Sequence, residues 1–230
     1  DFLGGGSVWE TVDWPENVHI FREPRMAALE LPELCAVVHG AAFTAPEQAE
    51  SLLAGFAAPA DDRVHLGVLH GEIDPAENRY DPLGKAEIAA SGLAYLALGH
   101  IHKRTEPLRF GNTVCAWPGC PEGRGFDELG EKGFYQGTVT DDGRVELSFV
   151  PFARHRYEIL EVDVTGKTPR EAVEAALPPD TARDLYRILL TGETGEAGAD
   201  PEGLQEALAD RFYALEVRDR TRMAEDLWRR

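Results

Sequence analysis

The sequence has few cysteines, no long apolar run and a shortage of positive charge. Its 230 residues include three cysteines, Cys35, Cys115 and Cys120, none in a close-spaced pair. An odd, sparse set of cysteines fits a reducing cytoplasm better than a disulfide framework. No apolar stretch approaches the roughly 20 residues that span a bilayer, and the start "DFLGGGSVWE" has no signal-peptide pattern. We therefore expect a cytoplasmic protein with no membrane segment.

The charge balance is strongly acidic. With 41 acidic and 23 basic residues, the chain carries a formal net charge of −18. This charge argues against a broad basic surface for nucleic acid. It does not exclude metal-assisted chemistry on phosphate, because bound cations can dominate the local field. The hydrophobic fraction of 43% is enough for a buried core.

Strands and helices alternate over the first half of the chain, which indicates a layered α/β fold. The predicted elements are strands at 18–21 and 33–43, a helix at 44–56, a strand at 64–71, a loop at 72–84, a helix at 85–92 and strands at 93–99 and 112–119. The helix at 44–56 is predicted from a capping box of Thr44 and Glu47. Asp142-Gly143 between two alternating runs predicts a β-hairpin over 133–152.

A change of pattern near 151–154 predicts a second, smaller domain. The elements expected there are a strand at 157–164, a helix opened by a capping box of Thr168 and Glu171, a strand at 185–191, a helix opened by Asp200 and Pro201, and a strand at 212–218. The sequence therefore predicts two domains, residues 1–152 and residues 153–230, the second a small α+β unit.

Three histidines follow predicted strands at the point where each strand ends. His70 ends "GVLHG", and His100 and His102 follow "LAYLALG" as "GHIH". Loops at the carboxyl ends of strands are the usual ligand sites in such sheets, and Gly99 permits a sharp bend. Neutral imidazole is a common ligand of Zn, Mn, Fe or Ni. The pattern predicts a site for one metal ion or two adjacent ones. We interpret the other histidines as core, strand or surface residues: His19, His39, His65 and His155.

Several segments resemble the SbcD-type DNA repair exonucleases of the calcineurin-like metallophosphoesterase superfamily. They are "WPENVHIF", "VVHGAAF", "GVLHG", "YLALGHIHKR", "WPGCPEGRGFDELGEKGFYQGTV" and "FVPFARHRYEILEVDV". The resemblance implies the C-terminal part of a layered α/β/β/α sandwich followed by a capping domain. It also implies a hydrolase, a phosphodiesterase with a two-metal centre that acts in repair as an exonuclease or endonuclease on DNA ends.

The same resemblance assigns the metal ligands and the partners. His70 and His100 would bind one metal ion and His102 the other. The family usually holds two Mn ions, with Zn, Fe or Mg as alternatives. Besides DNA, the implied partners are an SbcC-like ATPase and a second copy of the chain in a homodimer.

Three basic residues are candidates for substrate binding. Lys103 and Arg104 directly follow the last histidine motif and would contact DNA phosphate. Arg124 in "PEGRGF" would orient the substrate or support the site. Solvated surface charges, and for Arg124 a salt bridge within its loop, are the alternative interpretations.

The earlier motifs of this family, D-x-H, G-D-x-x-D and G-N-H-D/E, do not occur in the sequence. They supply the bridging aspartate and the catalytic histidine, so we expect the catalytic residues in an N-terminal segment outside this sequence. Asp1 matches the end of the third motif. We interpret Glu72 and Asp74, near His70, as loop acids rather than substitutes. Two other functions stay open: a phosphoesterase for small nucleotides or other phosphoesters, and a truncated, catalytically inert interaction module.

Overall fold

The protein is described by a computed structural model that covers residues 2–77 and 79–224. The chain divides into two compact units. The first contains the residues up to 120 together with 133–150, and the second contains 121–132 together with the residues from 151 onward. The segment 121–132 therefore groups with the second unit, although it precedes the predicted boundary between residues 152 and 153. The functional division into domains stays a prediction.

The first unit is built on a mixed sheet. Its elements are α1 (Val8–Thr11), β1 (Ala27–Leu31), a 3₁₀ turn (Pro32–Leu34), β2 (Ala36–Gly40), β3 (Val64–His70), β4 (Glu72–Ile73), β5 (Pro82–Leu83), α2 (Lys85–Ala90), β6 (Tyr95–Gly99), β7 (Leu108–Phe110), β8 (Thr113–Ala116), β9 (Gly133–Val139) and β10 (Val145–Pro151). Six strands pair in the order β1-β2-β3-β6-β8-β7. The four central strands run parallel, and β1 and β7 are antiparallel edges. The predicted α/β class is confirmed.

The core of the first unit lies on one face of this sheet. Side chains alternate along each strand, so Leu69 of β3 and Leu96 of β6 are buried on that face. Ile88 of α2 and Leu53 of the preceding turn pack into the same cluster. Each fully buried leucine or isoleucine contributes about 1.5–3 kcal/mol. Val68, on the opposite face of β3, is 46% exposed.

The second unit is a parallel three-stranded sheet with two helices. Its elements are β11 (Tyr157–Asp163), α3 (Pro169–Ala176), β12 (Leu185–Thr191), β13 (Glu193–Thr194), α4 (Pro201–Leu208), a 3₁₀ turn (Ala209–Arg211), β14 (Ala214–Asp219) and β15 (Arg222–Met223). β11, β12 and β14 pair in parallel. The predicted order of strands and helices is confirmed. The capping box is present, since the Thr168 hydroxyl accepts from the Glu171 amide and the Glu171 carboxylate accepts from the Thr168 amide. Across the described part of the chain no helix is longer than the eight residues of α3 and α4, too few to cross a membrane.

The predicted helix at 44–56 is wrong, because this segment forms turns. Gln48 instead bridges to Tyr80, and its carbonyl accepts from the amide of Asp81 at 2.8 Å. The amide of Leu52 donates to the Asp81 carboxylate at 2.6 Å. These hydrogen bonds to a distant segment hold the backbone away from helical geometry and outweigh the local capping signal.

The predicted strand at 18–21 is also wrong, since these residues pair with no strand in the described part of the chain. The ring of Phe21 covers Gly40 so closely that a Cβ at Gly40 would lie 2.3 Å from the ring carbon Cδ2. Contact between this ring and the sheet takes the place of backbone pairing. The strand beside β2 is β1, which the sequence pattern did not reveal.

Candidate metal centre

The register of two parallel strands places two of the predicted ligands side by side. His70 is the last residue of β3 and lies opposite Gly99, the last residue of β6. His100 follows directly, at the same edge of the sheet. The imidazole rings of His70 and His100 meet edge to face, with centroids 5.1 Å apart and planes at 70°. The structure therefore brings together the two histidines that were predicted to share one metal ion.

The backbone around residues 99 and 100 is shaped by this contact. A Cβ at Gly99 would lie 2.9 Å from His70 Nδ1, so no side chain fits there without displacing the ring. His100 has a φ of +90°, a conformation that residues with a side chain rarely adopt. Such strained residues cluster at functional sites, where the surrounding structure holds them in place.

Trp117 ties the two histidine-bearing strand ends together. It follows β8 and is 5% exposed. Its indole N–H is shared between the carbonyl of Gly71, at 3.1 Å, and the carbonyl of Gly99, at 2.8 Å. These glycines directly follow His70 and precede His100. Nothing in the sequence singles out Trp117, because its spacing to the histidines carries no signal.

A carboxylate and a phenol ring surround His100. The Nε2 atom of His100 lies 2.9 Å from Glu72 Oε1. The ring of Tyr80 lies 4.8 Å from the imidazole, centroid to centroid, at 35°. Glu72 is therefore more than the loop acid that the sequence suggested. Asp74 does match that interpretation, since it pairs with Lys85 at 2.9 Å.

The electrostatics of the site favour neutral imidazole at His70. Burial, followed by the charges of His100 and, more weakly, His102, lowers the pKa of His70 to about 4. His70 is therefore unprotonated at neutral pH. Metal ligation requires this form, because the donor nitrogen must carry a lone pair.

His102 differs from the paired histidines in its exposure, since His70 and His100 are half-buried. It is exposed, and its carbonyl oxygen lies 3.7 Å from Cys120 Sγ. Over residues 2–77 and 79–224, no compact group of three ligand atoms includes His70 or His100. The assignment of His102 to a second metal ion stays a prediction.

The paired histidines fit part of a divalent-metal site. His70 Nδ1 faces Gly99 and His100 Nε2 contacts Glu72. This leaves His70 Nε2 and His100 Nδ1 as the candidate donor atoms. Two imidazoles with a carboxylate behind one of them are a common arrangement around Zn, Mn or Fe. The described residues supply two donors rather than a full coordination shell.

A cavity of about 640 Å³ lies beside His70, on the face of the sheet away from the core. Its walls are mostly aromatic and aliphatic, and they include Phe43, Tyr95 and Phe134. The ring of Phe43 also meets His70 edge to face, with centroids 5.3 Å apart. This apolar wall contributes to the burial that keeps His70 neutral.

The predicted substrate residues lie in different surroundings. Lys103 and Arg104 are exposed directly after His102, and the Arg104 guanidinium lies 4.2 Å from the centroid of the Phe149 ring. Arg124 belongs to the second unit. Its amide and its guanidinium both donate to Glu128, at 2.9 and 3.2 Å, so the alternative of a loop salt bridge is present. Phosphate contact by all three residues stays a prediction.

A known protein is similar in sequence to this chain. No protein-family profile matches the chain. The chain is 33% identical over 170 residues to the "Uncharacterized metallophosphoesterase YhaO" of Bacillus subtilis (strain 168). The match covers 72% of this chain but 41% of that relative's length. The similarity is thus to a protein named as a metallophosphoesterase, of which this chain spans less than half the length.

Proposed function

We propose that the protein carrying this chain is a metal-dependent phosphoesterase, and more narrowly a nuclease of the SbcD type that hydrolyses phosphodiesters at DNA ends. One observation carries the proposal. His70 and His100 stand at the ends of adjacent parallel strands with their rings 5.1 Å apart. The metallophosphoesterase name of the Bacillus relative supports the coarser activity. The narrower one is supported by the resemblance to SbcD-type exonucleases.

The proposed roles of the residues are these. His70 and His100 hold a divalent ion, with Mn expected first and Zn, Fe or Mg as alternatives. When bound, such ions lower the pKa of a coordinated water molecule and stabilise negative charge on a phosphate. Burial keeps His70 neutral, so that its ring can bind a metal ion. The exposed cations Lys103 and Arg104, next to the histidine motif, draw the phosphate backbone towards this edge of the sheet.

The second unit is proposed to be the capping domain that orients DNA. It contains a pocket of about 210 Å³ whose lining includes Arg154, Arg156 and Arg183. Asp184 neutralises Arg156 through a 2.7 Å ion pair. Beyond this pair the lining holds three basic residues, Lys132, Arg154 and Arg183, against two acids, Glu131 and Asp180. This small excess of positive charge in a strongly acidic chain supports contact with a polyanion. On the basis of the resemblance to SbcD-type exonucleases, we also propose an SbcC-like ATPase as a partner and a homodimer as the assembly.

A second candidate is a phosphoesterase for small nucleotides or other phosphoesters. The net charge of −18 favours it, because long-range repulsion opposes the approach of DNA more than that of a small monoester or diester. Turnover of an end-labelled linear duplex beside turnover of a cyclic nucleotide, both with Mn²⁺, separates the two candidates.

The proposal is tested by Mn-dependent release of nucleotides from the labelled duplex. His100→Ala should lower the rate by at least about 10–100-fold, the range for lost support of a metal site. His19→Ala is the matched control, since this histidine is exposed and its ring meets Phe21 rather than a proposed ligand. Full activity in His100→Ala would refute the site, and turnover of the cyclic nucleotide alone would refute the nuclease.

A further inference from the structure

We infer that Glu72 is a positioning residue for His100, which holds the imidazole in the tautomer that carries its proton on Nε2. The inference rests on the proposed function, because it assigns a role within that metal site. His100 Nε2 lies 2.9 Å from Glu72 Oε1. An ionised carboxylate can only accept a hydrogen bond, so the imidazole donates through Nε2–H. Its Nδ1 atom then carries the lone pair that a metal ion requires.

The loop between residues 72 and 83 is built to hold Glu72 in this place. β4 and β5 pair in parallel, with Glu72 opposite Pro82 and Ile73 opposite Leu83. The amide of Glu72 donates to the carbonyl of Asp81 at 3.2 Å. Leu83 is fully buried and anchors the ladder in the core. The carboxylate of Glu72 is therefore carried by paired backbone rather than by an open loop.

His100 is held on a second side by the same loop. The ring of Tyr80, two residues before β5, lies 4.8 Å from the imidazole at 35°. One loop thus fixes both the edge of the His100 ring, through Glu72, and a face of it, through Tyr80. Both contacts restrict the orientation of the imidazole.

Stability alone does not account for this arrangement. The side chains of His100 and Glu72 are 22% and 34% exposed, and an ion pair that solvent still reaches contributes little to folding. His100 also holds an unfavourable φ of +90°. The molecule therefore keeps a strained residue and a weakly stabilising pair together. Orientation of a ligand explains both, because a carboxylate behind a histidine fixes its tautomer and raises its basicity towards a metal.

The first test reads the tautomer without any metal. Long-range ¹H–¹⁵N correlation spectra of the metal-free protein at pH 7.5 should show His100 as the Nε2–H tautomer. In Glu72→Ala the two tautomers should mix, whereas in Glu72→Gln the amide oxygen still accepts and Nε2–H should persist. Glu77→Gln, an exposed acid of the same loop, is the matched control. An unchanged His100 tautomer in Glu72→Ala would overturn the inference.

The second test is the affinity for Mn²⁺, measured by calorimetric titration of the same variants and of His100→Ala. Glu72→Ala should bind about 10–100-fold more weakly than the wild type, with Glu72→Gln restoring most of the affinity. Equal losses in Glu72→Gln and Glu72→Ala would show a direct carboxylate ligand and overturn the positioning role. Loss in His100→Ala with none in Glu72→Ala would overturn the inference alone. Equal Mn²⁺ affinity of the wild type and His100→Ala would overturn the proposed metal site itself.

Discussion

His70 and Gly99 lie directly opposite each other in the ladder of β3 and β6, and the Nδ1 edge of the histidine occupies the space where a side chain at position 99 would begin. A Cβ there would lie 2.9 Å from Nδ1, closer than such contacts normally come. The orientation of the first predicted ligand thus depends on the absence of a side chain on the neighbouring strand.

Gly99→Ala should therefore displace the His70 ring. We expect a loss of about 1–3 kcal/mol in the free energy of unfolding from overpacking, together with weaker Mn²⁺ binding. Urea unfolding and calorimetric titration measure the two effects. Gly195→Ala is the control, since nothing lies within 4 Å of a Cβ at that position. Wild-type Mn²⁺ affinity in Gly99→Ala would show that the His70 ring does not hold the metal.

Trp117→Phe should loosen both strand ends at once. The substitution removes the indole N–H that Gly71 and Gly99 share and leaves two inward-facing carbonyls without this donor. We expect a loss of about 1–3 kcal/mol in urea unfolding. Trp14→Phe is the comparison, because the Trp14 indole donates one 3.3 Å bond at an exposed site. Equal stability losses in the two variants would contradict the bridging role of Trp117.

Asp81 should make the protein less stable as pH rises. Burial raises the pKa of its fully buried carboxyl to about 6, against the opposing hydrogen bond from the Leu52 amide. The folded state therefore binds more protons than the unfolded state between pH 4 and 6, so this contribution to stability is lost as pH rises through 6. Among the described residues, its Oδ2 atom has no hydrogen-bond partner.

The measurement is the free energy of unfolding of Asp81→Asn relative to the wild type across pH 4 to 7.5. The difference should shift in favour of the variant by up to about 3 kcal/mol over this range, since two pKa units correspond to that amount. Asn also tolerates the φ of +49° at this position. Asp62→Asn, an exposed neighbour of the sheet, should show no such trend. A constant difference would contradict the assignment.

His39 should have the opposite dependence on pH. Its Nε2 atom lies 2.9 Å from His65 Nδ1 inside the core, and burial, followed by the charge of His65, lowers the pKa of His39. The unfolded state binds more protons below its own pKa near 6.5, so stability present at pH 7 is lost as pH falls towards 5. His39→Gln should flatten this part of the stability profile in urea unfolding. His19→Gln, at an exposed site, should leave the slope unchanged.

The elements that the sequence predicted well are those set by local chemistry. The capping box of Thr168 and Glu171 opens α3, and Asp142-Gly143 closes the hairpin of β9 and β10. At Thr44 and Glu47 the same local signal failed, because the backbone nearby pairs with residues 79–81. Local signals predict an element only where no distant hydrogen bond competes for its backbone.

Within the candidate site, some residues could likewise be predicted from the sequence and others could not. His70 and His100 could be found from the sequence, because histidines at the ends of parallel strands converge at one edge of a sheet. Glu72 and Trp117 could not, because their contacts depend on how a loop folds back and on the register of β8. His102 was predicted with the others, yet its place in the chain alone does not determine where its ring lies.

The most direct test of the central claim is the Mn²⁺ affinity of the wild type, His70→Ala, His100→Ala and the double variant, measured by calorimetric titration under one set of conditions. If the two imidazoles hold one ion, each single variant should lose nearly as much affinity as the double variant, because the ligands act as a unit. Losses that simply add, or wild-type affinity in either single variant, would contradict a shared metal site at the ends of β3 and β6.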